Sequence, residues 1–144
     1  MKYSCEVVIE RSRGEVISKF DSSQNLPKWQ PTLRSAEPLT GDPGQPGSTM
    51  RLVYDQGKRQ MEMIETVTAN NLPESFDATY TTSGVINPCH NTFEEVGDSQ
   101  TRWVMETEFN FSGFMAIMSF FMRKAFPKET QRMMGHFKKF VEST

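Results

Sequence analysis

The chain is short of the residues that would commit it to a specialised chemistry. Two of its 144 residues are cysteine and two are histidine. Cys5 and Cys89 stand far apart, without the spacing of metal ligands. They read as two reduced thiols of a cytoplasmic protein, with a single disulfide as the alternative. A zinc site needs three or four convergent ligands, and His90 and His136 have no such company, so neither metal nor other cofactor is expected. His90 follows Cys89 directly, but neighbours on a strand point to opposite faces, so adjacency makes no nucleophile–base pair. An excess of positive charge is also missing. Sixteen Lys and Arg against eighteen Asp and Glu leave a net charge of −2, which gives no footprint for nucleic acid. No window approaches the ~20 continuous apolar residues of a membrane-spanning helix. Lys2 and a mixed polar strand follow Met1 where an apolar leader would stand. Stable membrane insertion is therefore not expected. The one glycine-rich stretch, residues 41–47, lacks the Lys-Ser/Thr ending of a phosphate loop and opens no helix.

What is present points to one domain, residues 1–144, with one core. Ten methionines and eleven phenylalanines stand out, and many of them follow residue 104. Methionine is flexible and fills irregular apolar space. It fits either a Met-rich core or a pocket that accepts several ligand shapes.

The hydrophobic period changes three times along the chain. Residues 3–9 alternate as a half-buried strand, with Tyr3, Cys5, Val7 and Ile9 on one face. Ser12 is an N-cap with Glu15 completing a capping box, and Val16, Ile17 and Phe20 give the helix its stripe. Residues 26–29 read as a second short helical turn. From 32 to 111 the chain reads as six further strands, at 32–39, 49–54, 59–69, 75–81, 86–96 and 101–111, joined by hairpin-length turns. Pro88 marks an edge or a bulge, and 101–111 is expected to be the longest strand. Residues 114–142 are helical, and Pro127 either kinks the helix or begins a second piece. There Met133, Met134, Phe137, Phe140 and Val141 recur at helical spacing, opposite Lys128, Glu129, Arg132, Lys138 and Lys139. The class is α+β: a seven-stranded curved antiparallel sheet around a long C-terminal helix, with two short helices after the first strand.

That order of elements is the helix-grip order, and several short motifs sit along it. Trp29-Gln30-Pro31 follows the paired helices, and Gly47-Ser48 leads into Met50-Arg51. Met63 to Val67, Thr92-Phe93-Glu94 before Gly97-Asp98, Thr101-Arg102 and a closing Phe137-Lys138-Lys139 follow. Together they resemble the SRPBCC or START-like superfamily, which includes polyketide cyclases, lipid-transfer domains and the birch pollen allergen family. The likeness spans nearly the whole chain. It implies a cavity between the concave sheet and the long helix.

Strand alternation then proposes the wall of such a cavity. Trp103, Met105 and Phe109 share the inward face of their strand, as do Met61, Met63 and Glu65, Phe76 and Tyr80, and Tyr54 with Leu52 and Met50. Asn91 and Phe93 on the preceding strand, Trp29 below the short helices, and Met118 and Met122 from the C-terminal helix complete the ligand-binding candidates. Apolar walls with sparse polar groups describe a small-molecule site. Glu65 is the one candidate for catalysis, because a carboxyl in an apolar pocket has a raised pKa and can serve as acid or base. Its alternatives are a register slip or an ion pair with Arg51 or Arg59. Trp29 is either a gate for ligand or a plug sealing the core. His136 reads as a solvated or packed structural residue.

The first functional expectation is non-enzymatic binding or carriage of a small hydrophobic or amphipathic molecule: a lipid, an isoprenoid or a polyketide-like compound. The second is a cyclase or dehydratase using Glu65 or a tyrosine. The third is a co-chaperone-like interaction module whose pocket is filled by side chains. Residues 113–126 carry more apolar surface than one stripe can bury, so they form either a movable lid or a homodimer interface.

Overall fold

A computed structural model describes residues 1–144. β1 (Lys2–Ile9) is followed by α1 (Arg13–Phe20), a 3₁₀ turn (Ser23–Asn25) and α2 (Leu26–Trp29). Ser12 caps α1 as expected: its Oγ accepts from the Glu15 amide at 3.4 Å, while the Glu15 side chain accepts from that hydroxyl at 3.3 Å and not from the Ser12 N–H that a full capping box would use. Then come β2 (Leu33–Thr40), β3 (Thr49–Gln56), β4 (Arg59–Asn71), β5 (Ser75–Thr82), β6 (Val85–Val96), β7 (Gln100–Glu108) and β8 (Asn110–Phe111). The chain ends with α3 (Phe114–Met122) and α4 (Ala125–Glu142). The sheet runs β1-β7-β6-β5-β4-β3-β2, every pair antiparallel, with β8 added against β6.

Three expectations about strands need correction. The last strand stops at Glu108, and residues 110–111 shift across to pair with Val85 and Ile86 as a two-residue strand beside the seven expected. The longest is β4, with 13 residues. Pro88 lies in a central strand, paired with Thr79, and β6 carries no register shift. On its other flank β6 changes partner just there, from β7 at Cys89 to β8 at Ile86. A proline at such a change of partner has no ladder bond to lose.

The C-terminal helix breaks at Arg123-Lys124, and Pro127 falls in the first turn of α4, where its missing N–H has no helical partner in any case. α4 is tied to β1 along its length. Lys138 Nζ donates to Val8 O at 2.8 Å, Gln131 Nε2 donates to Glu6 O at 2.9 Å, and the Tyr3 hydroxyl meets Thr130 Oγ1 at 2.7 Å. Anchored at that edge, α4 presses Met134, Phe137 and Val141 into a core with Ile9, Val16, Trp29, Phe93 and Trp103. Phe137 sits edge-on to Trp103 and Trp29 at 5.1 and 5.0 Å, and Phe93 stacks on Trp103 at 5.9 Å. The buried indole of Trp103 is satisfied by Asn91 Oδ1 at 2.9 Å, and Asn91 Nδ2 by Phe76 O at 3.2 Å. Each of these fully buried large side chains contributes about 1.5–3 kcal/mol by leaving water. The rest of the inner face, toward β3 and β4, has no comparable cover.

Candidate functional site

The uncovered part of the inner face bounds a cavity of about 600 Å³. β3 supplies Met50, Leu52 and Tyr54, β4 supplies Met61, Met63 and Glu65, and β5 supplies Phe76 and Tyr80. Asn91, Trp103 and Met105 come from the central strands, with Phe109 just beyond β7, and Trp29 closes the wall below α2. The period-2 alternation of strands explains why these candidates converge: one register places every second side chain inward. The cavity is not filled by side chains, contrary to the expectation for an interaction module. Its rim holds exposed polar residues: Thr32, Asp55 and Gln56 on one side, Glu129 and Arg132 of α4 on the other.

Three candidates lie elsewhere. Phe93 is off the cavity wall, 2% exposed and packed behind Trp103. Met118 and Met122 sit on α3, which contributes nothing to the wall; Met122 is 46% exposed. The break before α4 turns α3 away from the cavity, and Phe126 is the first residue after it to reach the wall. Of residues 113–126, only Phe126 therefore reaches the cavity wall.

The candidate set missed Asn87 and Cys89 on β6 and a row of residues on α4. Phe126, Thr130, Met133 and His136 line the cavity along one side of α4. Their spacing of three and four was visible, but it overlaps the stripe of core residues Met134 and Phe137, and sequence alone does not divide the two. His136 is thus a wall residue. Its Nε2 and the Nε1 of Trp29 are buried without a hydrogen-bond partner.

Glu65 faces inward, opposite Tyr80 on β5 and Met50 on β3. Its Oε2 accepts from the Tyr80 hydroxyl at 2.7 Å. No arginine reaches it. Arg51 points to the outer face, where its guanidinium meets Glu62 at 2.9 Å and Glu37 at 3.6 Å, and Arg59 lies at the hairpin tip opposite Gln56. Burial raises the Glu65 pKa, and the Tyr80 hydrogen bond pulls part of the way back. Tyr80 is pushed well above its ordinary value, by burial first and by the Glu65 charge next. Tyr54 rises for the same two reasons and donates to Gln30 Oε1 at 2.6 Å. The cavity thus offers a carboxyl of raised pKa beside two phenols, among methionine and aromatic side chains.

Other reactive side chains are not set up for chemistry. Burial raises the Cys89 thiol, and its neighbour is Thr107 Oγ1 at 3.3 Å, which is no base. His90 points to the outer face and bonds Asp77 there. A hollow of about 550 Å³ around that pair has three hydrophobic residues among its thirteen, so it does not suit an apolar ligand. No group of three or more His, Cys, Asp or Glu could hold a metal ion.

The family model for polyketide cyclase / dehydrase and lipid transport proteins matches residues 2–142. No curated protein matches the chain in sequence. Solved structures share the fold at low identity. A conserved protein from Geobacillus kaustophilus has TM-score 0.81 and 15% identity, with 99% of this chain and 96% of that one covered. The Zhui aromatase/cyclase from Streptomyces sp. R1128 has TM-score 0.78 and 11% identity, covering 99% and 92%. A Thalictrum norcoclaurine synthase point mutant, in complex with a transition state analogue, has TM-score 0.72 and 15% identity, covering 98% and 93%. The chain belongs to the polyketide cyclase / dehydrase and lipid transport family.

Proposed function

We propose that this member of the polyketide cyclase / dehydrase and lipid transport family holds one small amphipathic molecule in its cavity. The apolar body lies against Met61, Met63, Phe76 and Met105, and a hydroxyl or carbonyl group meets Glu65 and Tyr80. The observation that carries this reading is the single carboxyl–phenol pair, joined at 2.7 Å, beside the methionines and aromatics of the cavity wall. A volume of about 600 Å³ suits a molecule of the size that such pockets take. Each methylene moved from water into the cavity is worth about 0.8 kcal/mol, and a ligand that binds only the folded chain stabilises it by mass action. Fatty acids, isoprenoid alcohols and polycyclic phenols are therefore expected to raise the melting temperature. Native mass spectrometry of protein purified from its own organism is expected to show a retained small molecule. No shift across that panel, together with no retained mass, overturns the reading.

A second reading, dehydration or cyclisation of a bound substrate, is favoured by the raised Glu65 pKa. A carboxylate there can take a proton from a carbon next to a carbonyl, and the protonated acid can deliver it to a departing hydroxyl, which leaves as water. Glu65→Gln separates the two readings. Loss of turnover of a poly-β-ketone with binding intact supports catalysis. Unchanged chemistry in the presence and absence of the protein supports carriage.

A further inference from the structure

We propose that α3 is a docking tip for an anionic lipid surface. Its sequence, FMAIMSFFM, has no charged residue, and none of its nine residues is buried. Phe114, Ile117, Phe120, Phe121 and Met122 are 71, 60, 67, 76 and 46% exposed. Single exposed apolar side chains are ordinary, but five on one short helix mark a contact surface.

Two observations select a bilayer as the occupant. The first is the width of the apolar face. At about 100° per residue, the five side chains spread over roughly 200° of the helix circumference. A flat protein face covers one side of a helix, whereas acyl chains close around a wedge from every side. The second is charge. Residues 109–128 contain Arg123, Lys124 and Lys128 and not one Asp or Glu, in a chain whose net charge is −2. The Arg123 guanidinium lies 5.6 Å above the Phe120 ring, so a cation stands at the polar end of the wedge. Apolar side chains below the headgroups with cations level with them is the arrangement of an interfacial helix. A second copy of α3 would cover the apolar face but would bring no acid to these cations, because the segment has none.

The length of α3 fits docking and not spanning. Nine residues rise roughly 14 Å, against about 30 Å for the hydrocarbon core. The base of the helix is fixed. Gly84 has φ +75°, and a Cβ there would lie 3.0 Å from Met115 Cγ, so Met115 packs directly on that turn. Phe111 and Phe126 pack at 5.4 Å between the tip and the cavity. Docking stands on α3 and its flanking cations and does not require the cavity to carry anything.

Flotation with vesicles tests it. The full chain is expected to float with vesicles of phosphatidylcholine and phosphatidylserine in equal parts, and weakly with phosphatidylcholine alone. Each cation near an anionic surface is worth roughly fivefold in binding, so Arg123→Ser with Lys124→Ser should weaken it roughly thirtyfold. Phe120→Ser with Phe121→Ser should weaken it by more than about tenfold. These side chains are exposed, so circular dichroism and the melting temperature should not change in either variant. The proposal is overturned if the wild-type chain floats with neither composition, or if the phenylalanine pair can be replaced without effect. It is also overturned if sedimentation velocity shows a dimer that the same pair abolishes while vesicles are ignored. A failed ligand panel leaves all of these outcomes readable.

Discussion

Two regions of one sheet face meet different fates. Toward β1 and β7, inward residues are pressed by α1, Trp29 and the second half of α4, and Ile9, Trp103, Phe93, Phe137 and Val141 are at most 2% exposed. Toward β3, β4 and β5, the same alternation delivers Met63, Glu65 and Tyr80 to a cavity. The strands do not make the difference. The tether of α4 to β1, through Lys138, Gln131 and Thr130, does. A helix held at one edge of a curved sheet packs half of it and leaves the other half open. The side chains match. Rigid aromatics interlock in the packed half, and methionines, which repack at small cost, line much of the open half.

The largest expected effect breaks the packed half. Phe137 is 0% exposed and touches Trp29, Trp103 and Phe20. Phe137→Ala is expected to lower unfolding stability by about 3–5 kcal/mol, since the aromatic cage cannot collapse into the void. Urea denaturation reads this directly. A loss below ~1 kcal/mol would mean that the two halves are equally loose.

Much of this contrast was legible before any coordinates. Alternation alone oriented β3, β4, β5 and β7 correctly, because period 2 leaves one choice of face once a few large apolar residues are placed. Glu65 on the inner face followed from Met63 and Val67 on either side of it. What sequence could not divide was α4, where core residues Met134, Phe137 and Val141 interleave in sequence with wall residues Met133 and His136 on an adjoining face of one broad apolar stripe. Phe93 was assigned to the wall for the same reason: a face says inward, but not which half. The departure of α3 from the cavity was also hidden. It depends on the break at Arg123-Lys124, which a reading centred on Pro127 placed three residues late.

A smaller effect is expected from charge in the open half. Glu65 has a folded pKa above its ordinary 4.5, through burial. Folding therefore favours its protonated form. The stability this gives is fully present below pH 4.5 and is lost as pH rises through the raised value. Glu65→Gln keeps an acceptor for Tyr80 and removes the charge. At neutral pH the variant should be as stable as the wild-type chain or more so, and the gap should vanish in acid. Melting temperatures of both proteins across a pH series test this. A variant that is less stable at neutral pH would show that the carboxylate is compensated by a partner other than Tyr80.

The smallest effect sharpens the comparison most. Adding bulk to a packed core costs typically 1–3 kcal/mol, because side chains must leave their rotamers. Val16, 0% exposed in the packed half, should behave so as Val16→Phe. Met63 faces about 600 Å³ of unfilled space, and a phenylalanine there displaces no protein atom if its ring enters the cavity. Met63→Phe is therefore expected to change stability by less than about 1 kcal/mol, within the range for hydrophobic swaps of similar volume. Its consequence should appear in binding instead: the ring takes up room that a ligand needs, so a hydrophobic dye should bind more weakly while the urea midpoint stays in place. Equal penalties for Val16→Phe and Met63→Phe would mean that the open half is closed in solution, with β4 settled onto α4.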